Sequence, residues 1–306
     1  MMQQKPVKTG KKRSDANNPK DVILSVKENC ILMDFLIEQL PHKNRNNIKS
    51  LLRNNQVWVD EQVISKFNHP LKSGQKIKIS GSRSRMEKKY REFTIIFEDD
   101  NLIVIEKAAG LLSMATKNEK RNTAFSMLSD YVKQQDPSNK IFIVHRLDRD
   151  TSGLMVFAKN EKIKRILQEN WNEAVLEKSY IALVEGIVEK KTGTIESYLF
   201  EDNIFRVHST KNPKKGLKAV THYTVLKAKR NYSLLQVDIE TGRKNQIRVH
   251  MQDIGHVIVG DRKYGATDSP IRRLGLHARK LVFVHPVTGE NLVFETKIPS
   301  VFMRMF

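Results

Sequence analysis

The sequence predicts an α+β protein, and three observations predict it. Apolar residues recur at helical spacing at Leu32, Phe35, Leu36 and Leu40. Short apolar runs parted by turn residues, each long enough for one strand, recur along the rest of the chain. A length of 306 residues suffices for two domains and a substantial core.

Residues 1–20 hold Lys5, Lys8, Lys11, Lys12, Arg13 and Lys20 against the single Asp15. So few apolar residues cannot offset the entropy of ordering, which predicts a disordered basic arm. Residues 21–80 form a compact module: a helix ended by Pro41, a second from about Asn46 to Arg53, two short strands around an Asp60-Glu61 turn, and a further strand up to Ile79. Residues 81–92 carry five basic and two acidic side chains and read as a linker. Residues 93–306 make the larger domain. It begins with a hairpin, Phe93 to Phe97 and Leu102 to Ile105 around Glu98-Asp99-Asp100-Asn101. Helices are expected at Thr123–Gln135 and Lys162–Trp171.

Lys and Arg number 54 against 34 Asp and Glu, a net charge of +20. Such a chain is drawn to a polyanion, and its binding weakens steeply with salt. Nucleic acid is the leading partner. A membrane is the competitor, but no apolar run approaches the roughly 18 residues of a spanning helix, and the polar amino terminus is no secretory signal. The lone Cys30 excludes an intramolecular disulfide and reads as buried filler in a reducing compartment. These features predict a cytoplasmic protein, and nothing demands more than a monomer.

Between the apolar runs Ile141–Val144 and Leu154–Ala158 lies a short loop carrying His145, Arg146, Asp148, Arg149 and Asp150. A carboxylate held among these cations stays ionised, which suits a nucleophile better than a proton donor. The bland alternative is a charged strand connection in which Asp150-Thr151-Ser152-Gly153 makes a turn. An aspartic protease would need Asp-Thr-Gly, usually twice, and Ser152 interrupts the triplet. A metal site on His145, Asp148 and Asp150 lacks a second ligand pair.

The run His145-Arg146-Leu147-Asp148-Arg149-Asp150-Thr151-Ser152-Gly153-Leu154 resembles the catalytic motif of RNA pseudouridine synthases, in the branch acting on large-subunit ribosomal RNA and some transfer RNAs. The resemblance puts the catalytic aspartate on Asp148 and, on Arg146, the arginine that enters the RNA stack where the uridine leaves it. Glu177 to Gly186 resembles the second motif and places the active-site tyrosine on Tyr180. Thr241 to His250 resembles the third and places the aspartate's arginine partner on Arg248, where a bidentate guanidinium would orient the carboxylate. Ala108 stands where the family usually has proline, and Asn245 where it usually has histidine, so Asn245 receives no role. Gly260 to Gly265, Arg273 to Ala278 and His285 to Glu290 complete the match and look structural or RNA-lining. His277 and His285 read as framework histidines rather than metal ligands. The family implies a central mixed, mainly antiparallel sheet flanked by helices and loops.

The module at 21–80 resembles the alpha-L RNA-binding module of a small-subunit ribosomal protein. Its phosphate-gripping residues would be Lys43, Arg45, Lys49 and Arg53. The family has a serine-arginine pair where Lys43-Asn44-Arg45-Asn46 stands, and an asparagine-glycine turn where Asp60-Glu61 stands.

The implied activity is isomerisation of uridine to pseudouridine. No atom is gained or lost, so no cofactor or metal is expected. The target base must leave its stack, and Tyr180 would stack on it and move a proton. Two other readings share these features: a catalytically silent RNA-binding or ribosome-assembly protein, and a base-excising glycosidase using the same aspartate.

Overall fold

A computed structural model describes residues 21–306 apart from 42, 54–55, 61, 81–87, 90–91 and 117, and only the backbone of 50, 53, 88, 89 and 172. The basic arm and most of the linker stretch therefore lie outside the described residues. The chain divides into two units, 1–86 and 87–306.

In the first unit, strands Val22–Ser25, Lys76–Ile79, Val57–Val59 and Gln62–Val63 lie side by side in that order. Helices Leu32–Gln39 and Arg45–Arg53 turn Leu32, Leu36, Ile48 and Leu52 onto Val57 and Ile77, a core in which all six are buried. The first helix stops because Pro41 bars its continuation. Asp60 makes the tight turn at φ 45°, its carboxylate accepting from the Lys76 and Gln75 nitrogens at 2.9 and 2.8 Å. Arg45 and Lys49 are exposed, Lys43 is half-buried, and the Arg53 side chain lies outside the described residues. Cys30 is half-buried on a two-residue strand rather than fully enclosed, packed against the edge of this core.

The second unit is a mixed sheet. Its main strands are β1 (Phe93–Glu98), β2 (Leu102–Lys107), β3 (Ser152–Ala158), β4 (Val175–Glu185), β5 (Thr192–Glu201), β6 (Val207–Thr210), β7 (Leu217–Lys229), β8 (Tyr232–Ile239), β9 (Leu276–Val284) and β10 (Asn291–Glu295). They run β6-β5-β7-β8-β4-β9-β3-β2-β1, with β10 on β9. Every pair is antiparallel except β3 with β9. Lys88–Lys89, inside the expected linker, pairs with β1.

Alternation along the strands feeds two faces. Ile103, Ile105, Met155 and Phe157 pack under helix α1 (Ala124–Gln135), while Leu102, Val104, Leu154 and Val156 pack under helix α2 (Glu161–Glu169). Thr123 caps α1 by accepting from the Ser126 nitrogen at 3.0 Å. Helix Lys162–Trp171 is expected from sequence, but α2 ends at Asn170, whose amide turns back to the Ile166 carbonyl at 3.0 Å. Trp171 instead opens a separate short helix, Trp171–Ala174. Helix α3 (Gln246–Asp253) lays Ile247 and Met251 on Ala182, Val184 and Leu235.

The parallel contact between β3 and β9 brings the central loop toward the opposite half of the sheet. Gly153, at φ 116°, is required there: a Cβ would stand 2.1 Å from the Ala278 carbonyl oxygen.

Candidate active site

The loop between His145 and Thr151 is pinned on both sides of Asp148. The Ser113 hydroxyl donates to the Leu147 carbonyl at 2.6 Å and accepts from its amide at 3.1 Å. The Arg149 carbonyl accepts from the Gly110 amide at 2.9 Å and from Lys107 Nζ at 3.0 Å. Lys107 is fully buried at the end of β2 and also reaches the carbonyls of Ala108 and Leu111. Burial pushes its pKa down to about 7, Asp150 and Asp148 holding it up against a further lowering by Arg273. A second anchor starts at Arg273, which donates to Ser152 Oγ at 2.7 Å. The hydroxyl lies 2.7 Å from His277 Nδ1, and His277 Nε2 lies 2.8 Å from Thr296 Oγ1. Leu147 and Arg149 thus stay fixed while Asp148 projects, its side chain 27% exposed.

Asp148, Tyr180, Arg248 and Arg146 line one cavity of about 250 Å³, together with Asn245 and Arg243. The sequence motifs from the central loop, β4 and α3 thus converge. The Lys43, Arg45, Lys49 and Arg53 set belongs to the other unit.

Arg248 corrects the sequence expectation of a bidentate grip on Asp148. Its fork closes on Asp261 instead, Nε to Oδ2 and Nη2 to Oδ1, both at 2.7 Å. Asp148 receives a single contact from Nη1 at 3.3 Å, and the same nitrogen donates to Asn245 Oδ1 at 3.2 Å. The physical reason is burial: the Asp261 side chain is 1% exposed and cannot be left without a cation, whereas Asp148 faces the cavity. Burial alone would lower the Arg248 pKa, but Asp261 and then Asp148 carry it above the usual arginine range. Beneath the guanidinium lies the buried Tyr264 ring, 5.0 Å from the arginine's terminal carbon. The Tyr264 hydroxyl accepts from Asn245 Nδ2 at 3.0 Å.

Asn245 therefore has a place that sequence reasoning did not assign: it enters α3 in the left-handed conformation, φ 53°, and ties Arg248 to Tyr264. The only signal for it was that asparagine tolerates this conformation before a helix. Gln246 pins the preceding turn, its Oε1 accepting from Thr241 and the Arg243 amide, its Nε2 reaching Val220 and Thr221.

Tyr180 is half-buried between two parts of the core. Burial, with Asp148 adding to it, pushes the phenol up to about 12. At neutral pH the phenol keeps its proton, and its hydroxyl can donate from beside an apolar ring face. Of the two framework histidines, His277 lies in the chain described above. His285 Nε2 meets Asp99 at 3.0 Å, and its Nδ1 accepts from the Thr288 amide at 3.0 Å. No cluster of potential metal ligands occurs among the described residues.

Residues 101–253 match the family model described as RNA pseudouridylate synthase. The chain belongs to the RNA pseudouridine synthases, isomerases that act on RNA. It is 35% identical over 259 residues to the uncharacterized RNA pseudouridine synthase YhcT of Bacillus subtilis, covering 80% of this chain and 84% of that one. It is 30% identical over 287 residues to the ribosomal large subunit pseudouridine synthase D of Pasteurella multocida, covering 88% of each. The solved structure of human RNA pseudouridylate synthase domain containing 4 has the same fold, with a TM-score of 0.57, 24% identity, and 68% and 90% of the two chains covered.

Proposed function

We propose that this enzyme isomerises a uridine in structured RNA, most of all in large-subunit (23S) ribosomal RNA, with Asp148 as its nucleophile or base. The observation that carries the reading is the cavity itself. It holds a partly exposed carboxylate, a cation fixed by a second, buried carboxylate, and a neutral phenol on the wall. Ribosomal RNA is favoured over transfer RNA because several similar proteins are named for the ribosomal large subunit.

The reaction breaks the bond from ribose carbon 1′ to uracil nitrogen 1, turns the base, joins carbon 1′ to carbon 5, and loses the carbon 5 proton to solvent while nitrogen 1 takes up a proton in its place. Uracil must leave its stack first, which costs a few kcal/mol and favours loops over duplex. The exposed Arg146 occupies the vacated place. Asp148 acts at the anomeric carbon, at uracil carbon 6 or on a ribose proton; each route uses the same oxygen pair. Arg248 sets a positive charge beside that carboxylate while its fork is held by Asp261. Tyr180 offers its ring face to the base and its hydroxyl as a donor. The first unit works as an alpha-L module, its exposed Arg45 and Lys49 gripping phosphates.

The test is tritium release from total RNA labelled at uridine carbon 5, taken from cells lacking the protein. Wild type releases tritium and Asp148→Asn does not, while the variant retains RNA affinity. Equal loss of affinity and turnover would make Asp148 structural.

A further inference from the structure

Beside the uridine cavity lies a second one of about 360 Å³. Arg146, Tyr180 and Arg243 line both, so the two share a wall. The second adds His145, Trp171, Lys178 and Lys280. The reaction needs none of these four, and their chemistry is that of a nucleotide site. His145 and Trp171 are a ring pair, centroids 4.7 Å apart and planes tilted 31°. Base–aromatic stacking is sequence-tolerant and recurs wherever proteins hold single-stranded RNA. Arg146, Lys178 and Arg243 bring positive charge to the same space; among these cations the only ion pair within the described residues is Lys280 with Glu177, at 2.7 Å.

His145 makes the site more than a charged hollow. Its Nε2 accepts the backbone N–H of Val156 at 3.0 Å. A neutral ring must then carry its proton on Nδ1. No acceptor for that Nδ1 proton is found among the described residues. Burial first, and Lys178 second, push the ring down to about 4, so this tautomer persists across the physiological range. A fixed donor is left without a protein acceptor on the wall of a cavity that adjoins the uridine site.

We propose that this cavity seats a second unpaired base of the RNA, a near neighbour of the target uridine, stacked on Trp171 and accepting a hydrogen bond from His145 Nδ1. Holding the neighbour unstacked lowers the cost of extruding the target, and selects RNA in which that neighbour has a free acceptor edge. The proposal rests on the synthase reading for the identity of the first cavity's occupant.

The probe is an RNA fragment spanning the modified uridine, with the nucleotides on either side replaced one at a time by abasic ribose. Wild type, Trp171→Ala and His145→Gln are compared by kcat/KM from tritium release and separately by Kd. Glutamine places an amide oxygen near the position of Nε2, keeping the Val156 acceptor while removing the Nδ1 donor. One neighbouring position is expected at which removing the base costs wild type about tenfold or more. Trp171→Ala loses a similar factor on intact RNA and nothing further on that abasic RNA. His145→Gln loses affinity for the intact base but not for an analogue whose acceptor edge is removed. Additive losses in these pairs, with thermal unfolding showing the variants folded, overturn the proposal. So does wild type insensitive to every neighbouring abasic site. If wild type releases no tritium from any RNA, the synthase reading fails, and the Kd comparison on the tightest-bound fragment still decides the pocket.

Discussion

Asp261 does not line the Asp148 cavity, yet it fixes the cation that does. Arg248 spends its two-pronged face on a carboxylate that is buried and leaves one nitrogen for Asp148. Removing one partner of a buried ion pair costs about 3–5 kcal/mol, because the other charge is stranded. Arg248→Lys and Asp261→Asn should both lower the melting temperature. Both should also lower kcat at least about tenfold with little change in KM, because an ammonium cannot reproduce the fork and an unanchored guanidinium no longer holds Nη1 over Asp148. Full kcat in Asp261→Asn would separate that residue from the chemistry. Tyr180 gives a sharper test of protonation. A phenol held at about 12 does not ionise in the working range, so the alkaline limb of kcat/KM should be the same in wild type and Tyr180→Phe. A displaced limb would mean that the hydroxyl ionises during the reaction. At this scale Asp148, Tyr180 and Arg248 were legible because each sits in a motif of fixed spacing. Asp261 was not, because its run reads as a glycine-bounded turn and burial of an aspartate has no signature in sequence.

At the scale of elements, Lys107 welds the end of β2 to the loop that carries Asp148. Its ammonium meets three carbonyl oxygens at 2.7 to 3.0 Å, with no carboxylate in contact among the described residues. The folded pKa, about 7, lies below the unfolded value of about 10.4. Between those limits the unfolded chain binds more protons, so this group makes stability rise with pH. Its full penalty is present below pH 7. Lys107→Met removes the titration along with the bonds. The stability of wild type relative to that variant should therefore grow as pH rises from about 7 to about 10, by up to roughly 1.4 kcal/mol per pH unit. Urea midpoints across that range check it; a difference that stays flat would mean that the ammonium is never neutralised. The hairpin of β1 and β2 was legible from its turn residues, and α1 as a helix beginning at about Thr123, though its cap was not read. The break at Asn170 was not, because its side chain competes with the helix by a bond back to Ile166 that the periodicity cannot reveal.

For the whole molecule, the sheet order was the least legible feature. Strand β9, far along the chain, inserts between β4 and β3, and the single parallel contact rests on one close approach at Gly153. Local pattern marks strands but does not choose their neighbours. Net charge, by contrast, is legible at once and bears directly on binding. At +20 the affinity for RNA should fall linearly in log K against log salt, by about 0.7 for each single-strand phosphate neutralised and about 0.9 for each duplex phosphate. The basic residues 1–20 and the exposed Arg45 and Lys49 belong to the first unit and carry part of that charge. The cavity of Asp148 is lined by residues of the second unit. Deleting residues 1–80 should therefore weaken RNA binding and flatten the salt dependence by one to a few phosphate equivalents, about 0.7 to 0.9 each. At saturating RNA, kcat should stay close to wild type once circular dichroism shows the shortened chain folded. A slope unchanged by the deletion would mean that the second unit alone neutralises the phosphates. A lost kcat at saturation would mean that the first unit takes part in assembling the active site rather than only in gripping its substrate.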